Sequence, residues 1–257
     1  MARAAPPLPY TAAAIVVAAG VSSRIGGKVR KPYLKLQGKP ILTWTLRALS
    51  EVRGLKQIVL VTRPEDRPRA LAAAADARLP KRIALDIADG GPRRQDSVFN
   101  GLRAAAADAD VVLIHDAARP FPPLQPMERA CGEALKTGAA ILAVRVKDTV
   151  KRQGVQAGSS TPPEPTGENA AILIEATVPR VGLWLAQTPQ VFRRELILQL
   201  FERLAREAPG REMTDDASIC EYYRLPVALI ESSDTNLKVT RPDDLPVAEA
   251  HLKAQRA

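Results

Sequence analysis

The stretch Gly20-Val21-Ser22-Ser23-Arg24-Ile25-Gly26-Gly27-Lys28-Val29-Arg30-Lys31 follows directly on an apolar run and interleaves glycines with cations. Glycines let a backbone come close to a phosphate, and several cations near it can hold the anion's charge. It is not a Walker A loop: Gly27-Lys28 would need Gly at 22 and a hydroxyl at 29, and the chain has Ser22 and Val29. A G-x-G-x-x-G dinucleotide fingerprint is absent too. A second apolar run ends in His115-Asp116-Ala117-Ala118-Arg119-Pro120. A carboxylate leaving a strand at Asp116 is placed to hold Mg²⁺ beside phosphates, although a turn-capping Asp would look the same. His115 reads as a packed strand-end histidine. Asp89-Gly90-Gly91-Pro92-Arg93-Arg94-Gln95-Asp96-Ser97 is a further Gly/Arg loop, with Asp96 and Ser97 at a helix start. Asn236 to Pro242 puts Lys238 on a short strand before the last helix. Each of these, taken singly, fits surface structure equally well.

Loops of this kind need a rigid frame. Short apolar runs alternate with amphipathic stretches, the pattern of βαβ units and a mostly parallel sheet flanked by helices, an α/β fold. Buried strands are expected at Ala13–Ala18, Gln57–Val61, Arg82–Ala88, Val111–His115 and Ala139–Val146. Helical stripes run through Leu42, Leu46 and Leu49, through Val98, Leu102 and Ala105, and through Leu196, Leu200 and Leu204. The last helix, Pro242 to Lys253, has Thr240 ahead of it and Asp243 and Asp244 in its first turn. In an open parallel sheet, ligands bind beyond the C-terminal ends of the strands, where these loops would lie. One segment breaks the alternation. Residues 148–180 read as a strand to Lys151, a Gly/Ser/Pro/Glu-rich loop over 153–169, and a strand near Ala171–Val178. That is a β-arm with a flexible tip, suited to touching a second subunit. The chain is thus expected to form a single domain over 11–257, arm included, after a disordered 1–10.

Composition excludes several classes. The 257 residues carry 37 Lys+Arg against 28 Asp+Glu, a formal charge of +9. The cations are spread along the chain and aromatics are only 4% of it, so base-stacking nucleic-acid binding is not expected. The longest apolar run, Ala12 to Val21, is about half of what a membrane-crossing helix needs. Cys131 and Cys220 suit core positions in a reducing, cytoplasmic setting and cannot form a disulfide scaffold.

Together the motifs are specific. A-A-G-x-S-x-R, K-P-Y-L, G-G-x-x-R-x-D-S-V, H-D-A-A-R-P, D-T-V-K, T-P-Q-x-F, T-D-D-A-S and N-x-K-V-T-R-P-D-D-L occur in this order between Ala18 and Leu245, within a likeness that runs from about Ala14 to His251. The series closely resembles the 2-C-methyl-D-erythritol 4-phosphate cytidylyltransferase family. The resemblance implies a Rossmann-like nucleotidyltransferase fold and cytidylyl transfer from CTP to methylerythritol 4-phosphate with Mg²⁺. By it, Arg24 and Lys31 match transition-state stabilisers, and Arg180 and Lys238 match the pair positioning the attacking phosphate. Thr149 and Thr188 match hydroxyls near that phosphate. Ala18, Ala19, Gly20, Gly91, Ser97 and Ala117 match readers of the cytosine and ribose, and Asp116 and Asp234 match acidic groups near the metal. The lysine order is Lys31-Pro32-Tyr33-Leu34, which keeps Lys28 and Arg30 open as substitutes for Lys31. The family likeness also implies a homodimer joined through the arm, and leaves open whether Thr149 and Arg180 serve their own or the neighbouring site. Ribitol 5-phosphate cytidylyltransferase, the same reaction on another polyol phosphate, is the alternative that no motif excludes.

Overall fold

The run Ala12–Val17 forms β1, the strand around which the sheet is assembled, and it is almost wholly buried. A computed structural model describes residues 10–20, 29–154 and 173–254. Arg24, the leader 1–9 and most of the arm loop therefore lie outside the described residues; Tyr10, the last residue of the leader, is buried beside Gly54. Two compact units emerge, Met1–Ala143 with Gln187–Ala257, and Val144–Ala186.

In the larger unit a short antiparallel ribbon, β2 (Lys35–Leu36) with β3 (Lys39–Pro40), leads from the first loop into the first helix. β1 pairs in parallel with β4 (Leu55–Thr62) on one side and β6 (Val111–Asp116) on the other. Val17 lies opposite both Val61 and Asp116, so three strands end at one level. β5 (Ala84–Asp89) continues the parallel sheet beyond β4. Beyond β6 come β10 (Trp184–Arg193), antiparallel to it, then β7 (Ala139–Arg145) and β11 (Ala228–Glu231). The chain thus builds outward from β1 to β5, then returns to the other flank of β1 for β6. That reversal is a topological switch point, and it leaves a crevice at the carboxyl ends of β1 and β6.

Alternating side chains give the sheet two cores. Ala12, Ala14 and Val16 face α1 (Ile41–Ser50), α2 (Arg67–Ala77) and α4 (Leu124–Thr137), through the stripe Leu42, Leu46, Leu49. Ala13 and Ile15 face α3 (Arg94–Ala104), α5 (Arg194–Glu207) and α6 (Ala217–Tyr222), through Val98 and Leu102 and through Leu200 and Leu204. Both cysteines are free and buried in these cores. A smaller cluster of Leu36, Ile41, Trp44, Phe121, Val239 and Leu252 seats α7 (Asp244–Ala254).

Three details depart from the sequence pattern. β10 is hidden by Pro189, which counts against a central strand; it pairs with β6 after that proline, over Gln190–Arg193. β11 is short and its apolar run too brief to register. Lys238 is not on a strand: its segment is irregular, tied to the body by the Val239 N–H on the Ala118 carbonyl at 2.9 Å. The last helix begins at Asp244, whose carboxylate accepts the backbone N–H groups of Thr240 and Arg241.

Unit Val144–Ala186 holds the arm. β8 (Val150–Gln153) and β9 (Ile174–Val178) form an antiparallel hairpin in which Val150 faces Val178. It leaves Leu173, Ile174, Val181 and Leu185 exposed, Val181 at 93%. Among the described residues no helix is long and apolar enough to cross a membrane.

Candidate active site

The switch-point crevice holds a cavity of about 210 Å³ lined by Ala18, Gly20, Lys31, Arg94, Asp116, Ala117 and Lys238, among others. A larger cavity, about 530 Å³, lies at the opposite end of the sheet between Asp108 and Gln199, and no candidate residue lines it. Three loops are pinned around the crevice by backbone bonds: Ala18 N–H to Val61 O, Ala117 N–H to Val17 O, and Gly90 N–H to Thr62 O.

Asp116 is the electrostatic centre. Its side chain is 13% exposed, with Lys238 Nζ at 2.7 Å from Oδ2 and Arg94 Nη2 at 3.2 Å from Oδ1. Burial opposes its charge, but Arg94 and Lys238 outweigh that and hold the carboxyl well below the usual carboxylate range. Arg94 also forms a two-pronged pair with Asp216, Nη1 to Oδ1 at 3.0 Å and Nη2 to Oδ2 at 2.9 Å. Asp216 is 1% exposed, and its burial pushes its carboxyl up despite Arg94.

Behind Asp116 sits a chain of hydrogen bonds that includes the neutral His115 and the Arg119 guanidinium. His115 is fully buried, which pulls its imidazole down to about 4. Its Nε2 must donate to the Arg119 carbonyl at 2.9 Å, so Nδ1 accepts the Thr188 hydroxyl at 3.2 Å. The Thr188 oxygen in turn accepts the Asp116 N–H at 3.1 Å. Arg119 donates to the Asn236 carbonyl at 2.7 Å, and the buried Asn236 amide donates to Gln187 Oε1 and the Thr188 carbonyl. These bonds lock the ends of β6 and β10 to the segment bearing Lys238.

The Gly90–Gly91 turn packs tightly against Ala19 and the start of α3. A Cβ on Gly90 would fall 2.3 Å from that of Ala19, and one on Gly91 2.4 Å from that of Asp96. The Gly91 N–H donates to the buried Ser97 hydroxyl at 2.9 Å, and Arg63 Nε donates to the Ala19 carbonyl at 3.0 Å. Lys31 opens a 3₁₀ turn, Lys31–Tyr33, anchored by the buried Tyr33, whose hydroxyl bonds Thr62 Oγ1 at 2.9 Å.

A family model described as 2-C-methyl-D-erythritol 4-phosphate cytidylyltransferase matches residues 12–254. The chain belongs to that family. Its similarity to the Geobacillus kaustophilus (strain HTA426) 2-C-methyl-D-erythritol 4-phosphate cytidylyltransferase is 40% identity over 244 residues, 95% of this chain and 98% of the relative. A crystal structure of the 4-diphosphocytidyl-2C-methyl-D-erythritol synthase from Anaerococcus prevotii DSM 20548 superposes with a TM-score of 0.76 at 26% identity, covering 95% and 96% of the two chains. The Thermus thermophilus 2-C-methyl-D-erythritol 4-phosphate cytidylyltransferase gives 0.68 at 30% identity, covering 93% and 98%.

Set against the residues singled out by the family's motifs, the larger unit brings Ala18, Gly20, Lys31, Asp116, Ala117 and Lys238 to one cavity; Ala19, between two of these, and the hydrogen-bonded Gly91 and Ser97 do not line it. Of the substitutes for Lys31, Arg30 is engaged by Asp66 and by Glu65 at 2.9 Å, while Lys28, like Arg24, lies outside the described residues. Thr188 is buried and hydrogen-bonded to Asp116 and His115, and does not line the cavity. Asp234 is exposed and does not line it either. Thr149 and Arg180 are exposed on the arm unit, where Arg180 bonds the Lys147 carbonyl. Sequence reasoning missed Arg94 and Asp216, although both stand inside quoted motifs, G-G-x-x-R-x-D-S-V and T-D-D-A-S. Nothing in those strings says that residues 122 apart form one ion pair.

Proposed function

We propose that the crevice at the ends of β1 and β6 transfers the cytidylyl group of CTP to 2-C-methyl-D-erythritol 4-phosphate. In this reaction a phosphate oxygen of the alcohol phosphate attacks the α-phosphorus of CTP, and the bond to pyrophosphate breaks in line, with no covalent enzyme intermediate. The observation that carries the reading is the convergence of Lys31, Lys238 and Asp116 on one cavity in a chain of this family. Two anions that repel must be held together, and charge gathers on the α-phosphate, so a cationic site of limited solvent access suits the chemistry. Lys31, with Arg24, neutralises the developing charge. Lys238 holds the attacking phosphate, with Arg180 and Thr149 contributed from an arm. The Ala18–Gly20 backbone and the Gly90–Ser97 loop receive the cytosine and ribose, where backbone donors and acceptors can read the base edge.

Among the described residues no group of three or more His, Cys, Asp or Glu could cage a metal ion. Of the described residues lining the cavity, Asp116 is the one carboxylate, which fits Mg²⁺ of the kind held by one or two carboxylates with most ligands from substrate phosphates and water. Asp116 would hold it, with Asp234 the second acidic candidate. The ion would supply charge neutralisation on the triphosphate. The exposed Leu173, Ile174, Val181 and Leu185 support an arm-mediated homodimer, since patches of this kind mark contact surfaces.

The matching family model and relatives carry methylerythritol phosphate in their names, and the ribitol 5-phosphate alternative gains no support. The test is pyrophosphate release from each of the four nucleoside triphosphates with Mg²⁺, alone, with methylerythritol 4-phosphate and with ribitol 5-phosphate. Release only from CTP with methylerythritol 4-phosphate is the expected result. Equal or faster release with ribitol 5-phosphate would overturn the choice of acceptor.

A further inference from the structure

Arg94 and Asp216 are the charged pair at this site for which the reaction scheme above has no use. Arg94 is the first residue of α3, and Asp216 immediately precedes α6. The turn carrying Asp216 is clamped by Gln190 of β10, itself 1% exposed: its amide donates to Asp215 Oδ2 at 2.7 Å and its carbonyl oxygen accepts the Ala217 N–H at 2.9 Å. The anchor is therefore rigid, and its carboxylate is sealed from solvent.

The guanidinium is nearly saturated. Nη1 and Nη2 grip the two oxygens of Asp216, while Nε and Nη2 reach Asp116 Oδ1 at 3.3 and 3.2 Å. Those four bonds use four of the five N–H donors that an arginine has. Asp116 Oδ1 is thus tied to a fixed group. Asp116 Oδ2 has a different partner, Lys238 Nζ, on a flexible stem whose side chain is 42% exposed. The two oxygens of one carboxylate are unequal by construction.

We propose that Arg94, anchored by Asp216, is a positioning residue that immobilises Asp116 through Oδ1 and leaves Oδ2 as the face on which a divalent cation accompanying the nucleotide replaces Lys238. Arg94 acts through Asp116 and does not itself bind the triphosphate. Lysine cannot substitute, because a point-like ammonium cannot span two carboxylates in the planar fork that the geometry requires. The inference rests on the cytidylyltransferase reading and concerns how its metal ligand is held.

The experiment is calorimetric titration of CTP into wild type, Asp216→Asn and Arg94→Lys, once with Mg²⁺ and once with chelator, after thermal melts identify which variants fold. Outer partners of metal ligands typically carry 10- to 100-fold in affinity, so CTP with Mg²⁺ should bind the variants about 10- to 100-fold more weakly. Metal-free CTP should bind them no more weakly than wild type, because Asp216→Asn removes a negative charge and Arg94→Lys keeps the positive one. Equal weakening with and without metal would mean that Arg94 touches the nucleotide itself, and would overturn the proposal. A lowered melting temperature with unchanged binding of both forms would reduce the pair to a structural role and overturn it as well. If Asp216→Asn does not fold, Arg94→Lys decides by the same comparison. The underlying reading is scored separately, by pyrophosphate release from wild type given CTP and methylerythritol 4-phosphate.

Discussion

Acid should weaken this fold through one imidazole before its carboxylates matter. His115 is sealed between β6 and β10, neutral, with one ring nitrogen donating to Arg119 O and the other accepting from Thr188. Burial pulls its value from an ordinary 6.5 down to about 4. The unfolded chain therefore binds a proton below about pH 6.5 that the folded chain refuses until about pH 4, so unfolding takes up a proton and stability falls as pH falls. At about 1.4 kcal/mol per pH unit the whole difference is about 3 kcal/mol, of which about 2 kcal/mol is lost by pH 5. The carboxyls held low by cations, Asp96 by Arg93 and Glu128 by Arg53, add their own loss only nearer pH 4. Asp216, raised by burial, has the opposite sign. The assay is urea unfolding of the ligand-free protein between pH 7.5 and 5, for wild type and His115→Gln, whose amide does not titrate. Asp216 is common to both, so the difference in slope isolates His115. Parallel pH profiles for the two proteins would refute the reasoning.

Other predictions concern catalysis and assembly. Lys31→Ala should lower kcat about 10²- to 10³-fold, the usual cost of one donor to developing charge, with the fold intact because Tyr33 anchors the turn; pyrophosphate release measures it. Gly90→Ala forces a Cβ to 2.3 Å from that of Ala19, an overpacking of about 1–3 kcal/mol, and should raise KM for CTP more than KM for the alcohol phosphate. Lys238→Met should raise KM for methylerythritol 4-phosphate, and an unchanged value in initial-rate assays would remove it from the acceptor's site. Mixing inactive Lys31→Ala and Arg180→Ala protomers should restore activity if the arm serves its neighbour; no recovery after demonstrated subunit exchange would make each protomer self-contained.

Much of this protein was legible in its residues alone. Alternating apolar runs are local signals, and β1, β4, β5, β6 and β7 lie within a residue or two of their expected positions: β1, β4, β6 and β7 because buried central strands are apolar nearly throughout, and the half-exposed edge strand β5 because its apolar residues still recur along one run. The stripe Leu42, Leu46, Leu49 and its counterparts on α3 and α5 came out as core faces for the same reason. The ordered motifs named the family and gathered most of the site. β10 stayed hidden because Pro189 interrupts its pattern, and its place in the sheet depends on a partner far away in sequence. Lys238 looked like a strand residue, yet its segment is held by the Val239–Ala118 bond and the seat of α7, neither of which is a local preference. Residue types alone determined that anions would be bound and roughly where the loops would lie. Tertiary structure alone decided which cation meets which oxygen of Asp116, that Asp216 stands behind Arg94, and that Thr188 is bonded to His115. Those contacts are set by the register and crossing of elements remote in the chain, and no local pattern encodes a distance between them.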